Sequence, residues 1–199
     1  MTKDLILASG SGIRRTLFEK AGLSPRISPA HIDERAIQDS LLRDRQDHSR
    51  IAAALAEAKA IQVSKKNPDA LVIGADQVLS LGADVLSKPL GQDDAIRQLQ
   101  RLRGRSHRLI SSVCVADQGT CVWSVTDAAV LWMRDLSDRF IERYVARNWD
   151  DIRHCVGCYQ IENAGITLFT RVSGDYHVVL GLPVFPLLSY LQDRGFIEL

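Results

Sequence analysis

A continuous apolar run from Leu71 to Ala75 leads directly into the carboxylate of Asp76. Uninterrupted hydrophobicity is typical of strands that are covered on both faces in a parallel sheet. The run therefore predicts a buried strand of an α/β fold, with Asp76 at the surface where the strand ends. Open α/β sheets gather ligand-binding groups at strand ends, so Asp76 could hold a metal or accept a proton from water. An aspartate that caps a turn is an equally good interpretation of this residue alone.

Strands and helices alternate along the rest of the chain, which also favours the α/β class. Strands are predicted at residues 5–8, 71–76, 108–116, 121–133 and 166–172, and helices at 13–21, 49–66, 93–103, 140–147 and 185–191. Ser49 is a possible cap of its helix, and residues 118–120 connect two strands as a hairpin. No repeat or flexible linker separates domains, so we expect a single domain with a possible lobe boundary near residues 104–108.

Charge and the start of the chain limit the function classes. The 199 residues include 25 Lys and Arg against 24 Asp and Glu, a net charge of +1, which provides no overall field for a nucleic acid polymer. A small anion bound by local charges is the better expectation. The first apolar run, residues 5–8, is too short for a signal peptide or a membrane span, so we expect a cytoplasmic protein without a membrane partner. Reduced cysteines are then expected, and zinc at Cys155 and Cys158 is a weaker alternative.

Several charged residues could bind phosphate or metal. A small-residue turn, residues 9–12, precedes the helix that carries Arg14 and Arg15, and a helix N-terminus with an arginine fork favours phosphate. A plain connection is the alternative for this turn. Lys59 and Lys88 are further candidates for phosphate, although a surface lysine is the default. Glu34 follows Asp33, and neighbouring carboxylates suit Mg²⁺, although most such pairs are only solvated.

The order of these segments resembles the Maf family, whose members are also called septum formation inhibitors. The segments that carry the resemblance are Leu5-Ile6-Leu7-Ala8-Ser9-Gly10-Ser11 with Arg14-Arg15, Ile32-Asp33-Glu34, Ala56-x-x-Lys59-Ala60, Ile73-Gly74-Ala75-Asp76, Lys88-Pro89 and Gly181-Leu182-Pro183. They extend over nearly the whole chain, and their shared order is more specific than any single motif.

The resemblance implies a two-lobed mixed sheet flanked by helices, with a central nucleotide-binding cleft and a homodimeric state. It also implies hydrolysis of a nucleoside triphosphate to the monophosphate and pyrophosphate, a house-cleaning reaction that depends on a divalent metal, Mg²⁺ or alternatively Mn²⁺ or Co²⁺. The implied roles are Asp76 as proton acceptor, Glu34 and Asp76 as metal ligands, and phosphate binding by Ser11, Arg14, Lys59 and Lys88. A non-catalytic, nucleotide-sensing regulator of septum formation and cell division is the alternative.

Three positions bear on base preference. Gln77 and Glu162 resemble the family branch that acts on 7-methyl-GTP rather than the branch that acts on dTTP and UTP. A carboxylate offers only acceptors, so Glu162 suits the N1–H and N2–H₂ donors of guanine. Ile13 departs from the arginine or tryptophan of the family, and isoleucine offers no cation–π attraction to a methylated base. We therefore expect a preference that is guanine-like or broad.

Overall fold

The computed structural model describes residues 3–44 and 46–198. Within these residues the chain forms seven strands and seven helices, which confirms the mixed α/β class. The strands are β1 Asp4–Leu7, β2 Arg26–Ile27, β3 Ala70–Leu81, β4 Asp84–Leu86, β5 Ser106–Asp117, β6 Thr120–Met133 and β7 Phe169–Ser173. The helices are α1 Gly12–Lys20, α2 Glu34–Arg43, α3 His48–Ser64, α4 Gln92–Leu102, α5 Asp138–Ile152, α6 Tyr176–Val179 and α7 Val184–Asp193.

All seven strands belong to one mixed sheet with the order β2-β1-β3-β5-β6-β7, and β4 pairs with β3 outside this path. β1 lies parallel to both β2 and β3, with Leu7 opposite Ile73. β4 is antiparallel to β3, and β7 is antiparallel to β6 between Val130 and Met133. Parallel pairing of β1 with β3 places the buried residues Ile6 and Leu7 opposite Val72 and Ile73.

The strand that contains Asp76 is longer than the sequence predicts. β3 continues to Leu81, so Asp76 lies in the middle of a strand rather than at its end, and only 8% of the residue is exposed. The polar residues Gln77 and Ser80 hid this continuation in the sequence. The structure accommodates Gln77 because its side-chain amide donates a hydrogen bond to the Ser111 hydroxyl at 3.1 Å.

The hairpin of β5 and β6 is confirmed. Its turn consists of Gln118 and Gly119, both with positive φ angles of 49° and 77°. Two-residue turns of this kind match the twist of the strands that they connect.

Three local predictions were wrong. Helix α3 is preceded by Asp47, not capped by Ser49, whose hydroxyl instead donates a hydrogen bond to the Asp47 carboxylate. Helix α2 was missed although Ile37, Leu41 and Leu42 recur at helical spacing, and the structure leaves none of its residues fully buried. The strand expected from residue 166 begins at Phe169, because Ala164–Leu168 forms a 3₁₀ turn in which Ile166 is 63% exposed.

The chain divides into two compact units. Unit 1 consists of Met1–Gln77, Ser111–Asp127 and Leu180–Leu199, and unit 2 consists of Val78–Ile110 and Ala128–Val179. The boundary expected near residues 104–108 falls inside unit 2, shortly before the chain returns to unit 1. The core of unit 1 contains Leu7, Leu17, Phe18, Leu71, Ile73, Ala75, Val113, Val115, Leu182, Leu187 and Leu191. Among the described residues, no helix combines the length and the apolar character that crossing a membrane requires.

Candidate active site

Lys59 and Asp76 form a buried ion pair in unit 1. Lys59 projects from α3 and Asp76 from β3, and the lysine Nζ lies 2.5 Å from the aspartate Oδ1. Both residues are at most 9% exposed. A buried charge is tolerated only when it is paired, so each of these side chains requires the other.

Glu34 binds the same ammonium group. Its Oε1 lies 2.8 Å from Lys59 Nζ, while half of the Glu34 side chain remains exposed. Glu34 is the first residue of α2, whose start is stabilised by the neighbouring Asp33, since that carboxylate accepts a hydrogen bond from the Ala36 N–H at 2.9 Å. Two carboxylates therefore converge on one lysine, and one of them faces solvent.

Close contact between α3 and β3 makes this arrangement possible. At Gly74, a Cβ atom would lie 2.2 Å from the Ala56 carbonyl oxygen and 2.6 Å from the Ala60 nitrogen. Only glycine permits the helix backbone to approach the strand so closely. Gly74 and Asp76 are two residues apart in β3 and so point to the same face of the sheet, the face covered by α3.

Arg14 is the second buried cation of unit 1. Its Nε donates to the Gly181 carbonyl at 2.8 Å, and its Nη1 donates to the Ser9 hydroxyl at 3.0 Å and to the Ala75 carbonyl at 2.9 Å. The guanidinium is thereby fixed by three segments that are distant in sequence. Nη2 is the nitrogen without such an anchor in the described part of the chain, so it is the one suited to a ligand.

Burial and neighbouring opposite charges shift the pKa values of Asp76 and Arg14 in opposite directions. Desolvation raises the pKa of Asp76 above its ordinary value of 3.8, although Lys59 and Arg14 oppose the shift, and Glu34 adds to it. Burial also lowers the pKa of Arg14 below its ordinary value, and the negative charges of Asp76 and Glu34 oppose this shift. A carboxylate with a raised pKa is a better proton acceptor near neutral pH, so the environment of Asp76 suits a general base.

Glu34 and Asp76 also fit a hard divalent cation. Mg²⁺ is commonly held by one or two carboxylates together with phosphate oxygens of the substrate, rather than by a complete protein cage. In the described ranges, no group of three or more His, Cys, Asp and Glu side chains is arranged for metal binding. A metal here would thus take its remaining ligands from substrate and water.

The other predicted residues of unit 1 lie around this cluster or beside it. Ser11 occupies the position before α1, and within the described chain its hydroxyl makes no capping hydrogen bond. Ile13 is half-buried in the first turn of that helix. Gln77 directly follows Asp76 in β3, so the two side chains point to opposite faces of the sheet. Arg15 is directed to the surface, where it pairs with Glu19 at 2.8 Å.

Lys88 and Glu162 belong to unit 2. Both are close enough to Cys155 to influence its pKa electrostatically, Glu162 by raising it and Lys88 by lowering it, although burial of the thiol is the largest cause of its raised pKa. Glu162 likewise raises the pKa of the nearby Tyr176, again after burial as the main cause. Structure within unit 2 therefore brings a carboxylate and an ammonium group to one thiol.

Two groups that hold Arg14 were not singled out from sequence. Ser9 is 7% exposed and supplies a hydroxyl, and Gly181 supplies a carbonyl at a φ angle of 95° that favours glycine. Both lie in segments that recur in the resemblance, the glycine turn and Gly181-Leu182-Pro183. The presence of Ser9 and Gly181 in these motif segments was the only sign of their importance in the sequence, and it did not show that they bind the Arg14 side chain.

Comparison with known proteins identifies the family of this chain. The family model described as "Maf-like protein" matches residues 4–194. The chain belongs to the Maf family. A relative from Roseobacter denitrificans, named nucleoside triphosphate pyrophosphatase, is 46% identical over 195 residues, which cover 98% of each chain. Relatives from Brucella abortus and Rhizobium johnstonii, both named 7-methyl-GTP pyrophosphatase, are 45% and 46% identical over 198 residues and the full length of each chain.

Both names occur among Maf proteins at nearly the same identity to this chain. Overall similarity therefore does not separate a general nucleotide specificity from one for 7-methyl-GTP, and the choice depends on individual residues of the site.

Proposed function

We propose that this Maf protein is a nucleoside triphosphate pyrophosphatase that hydrolyses a nucleotide to the monophosphate and pyrophosphate. The observation that carries the proposal is the buried pair of Lys59 and Asp76, which is joined by Glu34 at its solvent side. The names of full-length relatives at 42–46% identity support the same activity. Removal of non-standard nucleotides before they are incorporated is the role that we infer for this reaction.

The residues of unit 1 account for the chemistry as follows. Asp76 accepts a proton from water as the water oxygen attacks the α-phosphorus. The bond from that phosphorus to the bridging oxygen of the β-phosphate breaks, and pyrophosphate leaves with the bonding electrons. Stabilisation of charge is the main contribution of a protein to phosphoryl transfer. Lys59 and Nη2 of Arg14 supply positive charge, and the hydroxyl of Ser11 and N–H groups at the start of α1 offer further donors.

A divalent cation bound by Glu34 and Asp76 would neutralise phosphate charge and favour deprotonation of the attacking water. Lys59 contacts both carboxylates, so it keeps them in place before the cation arrives. We propose Mg²⁺, with Mn²⁺ or Co²⁺ as alternatives, because the available donors are hard carboxylate oxygens.

For the base, we propose a guanine-like or broad preference. Glu162 presents acceptors only, which match the donors on the Watson–Crick edge of guanine, and Lys88 adds positive charge for phosphate. Ile13 lacks the aromatic ring with which a tryptophan at this position could stack on a cationic methylated base.

The test is a measurement of pyrophosphate release with Mg²⁺ from 7-methyl-GTP, GTP, dTTP and UTP. We expect turnover, with the guanine nucleotides ahead of the pyrimidines. Glu162→Gln should move the ranking towards dTTP and UTP, whereas Glu142→Gln on the exposed surface of α5 should leave it unchanged. An identical ranking in Glu162→Gln and the unsubstituted protein would show that Glu162 does not read the base.

The same panel separates catalysis from sensing. A ligand that binds only the native state raises the melting temperature. Nucleotides that raise this temperature without any release of pyrophosphate would support the regulator of septum formation instead.

A further inference from the structure

Residues 30–34, which we call the approach segment, lead into α2 and end at Glu34. The segment contacts α3 at both of its ends. Ala30 packs against the apolar cluster that includes Val63, and Glu34 bonds to Lys59. Later residues of the segment thus contact earlier residues of the helix, so the two run in opposite directions.

Gln62 of α3 holds the middle of the approach segment. Its Oε1 accepts a hydrogen bond from the His31 N–H at 2.7 Å, and its Nε2 donates one to the His31 carbonyl at 2.6 Å. The side-chain amide therefore satisfies both polar main-chain groups of one residue, as a neighbouring strand would. Gln62 follows Lys59 by three positions, and residues at this spacing share one face of a helix. One face of α3 binds both the Glu34 carboxylate and the main chain three residues before it.

Helix α2 itself fixes Glu34 only weakly. None of the residues of α2 is fully buried, so packing against the rest of unit 1 gives this helix limited support. Asp33 stabilises the first turn through the Ala36 N–H, but that hydrogen bond stays within the segment and the helix it begins. The place of Glu34 beside β3 therefore depends strongly on how α3 holds the approach segment.

The ion pair with Lys59 is a poor anchor for Glu34 once a cation binds. The Lys59 ammonium is shared between Glu34 and Asp76, and a divalent cation would compete with it for both carboxylates. The hydrogen bonds of Gln62 join a neutral amide to the main chain, so the arrival of a cation or a phosphate leaves them unchanged.

We propose that Gln62 is a positioning residue, which holds the approach segment so that the Glu34 carboxylate stays beside Asp76 for the binding of a divalent cation. This inference rests on the proposed pyrophosphatase function and gives Gln62 a part in it. Gln62 acts through Glu34 and touches neither the cation nor the nucleotide in this role. Its removal should therefore weaken metal binding and leave the phosphate contacts of Arg14 and Lys59 in place.

The Mg²⁺ dependence of pyrophosphate release tests this role. Gln62→Met keeps a long side chain with good helix preference but removes both hydrogen bonds. The variant should fold, because His31 is exposed and water can replace the lost partners. Residues that orient a metal ligand typically change metal affinity by about 10- to 100-fold. We expect the half-saturating Mg²⁺ concentration to rise about tenfold, with an unchanged KM for nucleotide at saturating Mg²⁺. Gln192→Met, the same substitution at an exposed position of α7, is the matched control and should change neither value.

Binding of Mn²⁺, followed by electron paramagnetic resonance, gives a readout without turnover. The titration contains a GTP analogue in which methylene replaces the oxygen between the α- and β-phosphates, so that this bond is not hydrolysed. Gln62→Met should bind Mn²⁺ about tenfold more weakly than Gln192→Met. In a Glu34→Gln background, Gln62→Met should cause no further loss, because residues that act through one group have non-additive effects.

Two results would overturn the role of Gln62. The first is equal Mn²⁺ affinity and Mg²⁺ dependence in Gln62→Met and Gln192→Met. The second is an equally large loss of Mn²⁺ affinity with and without the Glu34 carboxylate, since Gln62 would then not act through it. An unsubstituted protein that releases no pyrophosphate would instead refute the proposed function, and the Mn²⁺ titration would still decide the role of Gln62.

Discussion

Gly74→Ala is expected to disrupt both the stability and the active site of this protein. The added Cβ would lie 2.2 Å from the Ala56 carbonyl oxygen, 2.6 Å from the Ala60 nitrogen and 2.9 Å from the Ala60 Cβ. Non-bonded carbon contacts are favourable at about 3.5–4.0 Å, so α3 must retreat by roughly 1 Å. The obstructing atoms include the main chain of a buried helix, which cannot rotate away as a flexible side chain would.

The cost can be placed at the upper end of the range for overpacking. Extra methyl groups in a packed core cost about 1–3 kcal/mol and occasionally more. A retreat of α3 also weakens the dispersion contacts of its buried residues Ile51, Ala52, Leu55 and Val63. We expect a loss of about 3 kcal/mol or more, which corresponds to a fall of about 6–12 °C in melting temperature for a chain of this size.

Urea unfolding with a matched variant provides the assay. Gly91→Ala is the control, because Gly91 has no neighbour within 4 Å of the added Cβ and an extended φ of −179°. It should change the free energy of unfolding by only a few tenths of a kcal/mol. Since α3 carries Lys59, Gly74→Ala should also lower kcat/KM by up to about 100-fold under conditions where the variant is folded. A Gly74→Ala protein with unchanged stability and turnover would refute the close packing of α3 on β3.

Two further predictions concern Arg14 and His107. Gly181→Ala should weaken nucleotide binding, measured by isothermal titration calorimetry. An alanine would be strained at the φ of +95°, and its Cβ would lie 3.3 Å from Nη2 of Arg14. Gly12→Ala, whose added Cβ has no neighbour within 4 Å, is the control for stability. Burial lowers the pKa of His107 from 6.5 to about 4, so the unfolded chain takes up the proton first as the pH falls. The stability contributed by neutral His107 is complete above pH 6.5 and should be lost between pH 6.5 and about 4. This loss amounts to about 3 kcal/mol in the free energy of unfolding. In urea unfolding at a series of pH values, His107→Phe should lack this decrease. If the stability of His107→Phe decreased equally steeply over this pH range, the pH dependence could not be due to His107.

Local patterns in the sequence were sufficient for most elements of the fold. The continuous apolar run predicts β3, and apolar residues at helical spacing predict α3, because the buried residues of each element form a recognisable apolar pattern in the sequence. Helix α2 has only a narrow apolar stripe, Ile37, Leu41 and Leu42, and was overlooked in a segment interpreted as irregular. Ile166 misled the prediction of β7 because this apolar residue lies exposed in a turn.

The site depends more strongly on tertiary packing. Motif order was enough to select Arg14, Glu34, Lys59 and Asp76, but sequence alone placed Asp76 at a strand end and left Lys59 as a surface lysine by default. Their pairing depends on the approach of α3 to β3 at Gly74, which brings together residues 17 positions apart. No local pattern encodes that distance, so the ion pair could not be predicted before the structure.

The most direct test of the proposed mechanism is the turnover of Asp76→Asn with Mg²⁺ and the best nucleotide, measured together with the affinity for that nucleotide. Asp69→Asn is the matched control, since Asp69 is an exposed aspartate just before the same strand. We predict that Asp76→Asn lowers kcat by about 100- to 10,000-fold while Arg14 and Lys59 still bind the phosphates, and that Asp69→Asn behaves like the unsubstituted protein. Turnover of Asp76→Asn equal to that of the control would contradict the assignment of Asp76 as the proton acceptor.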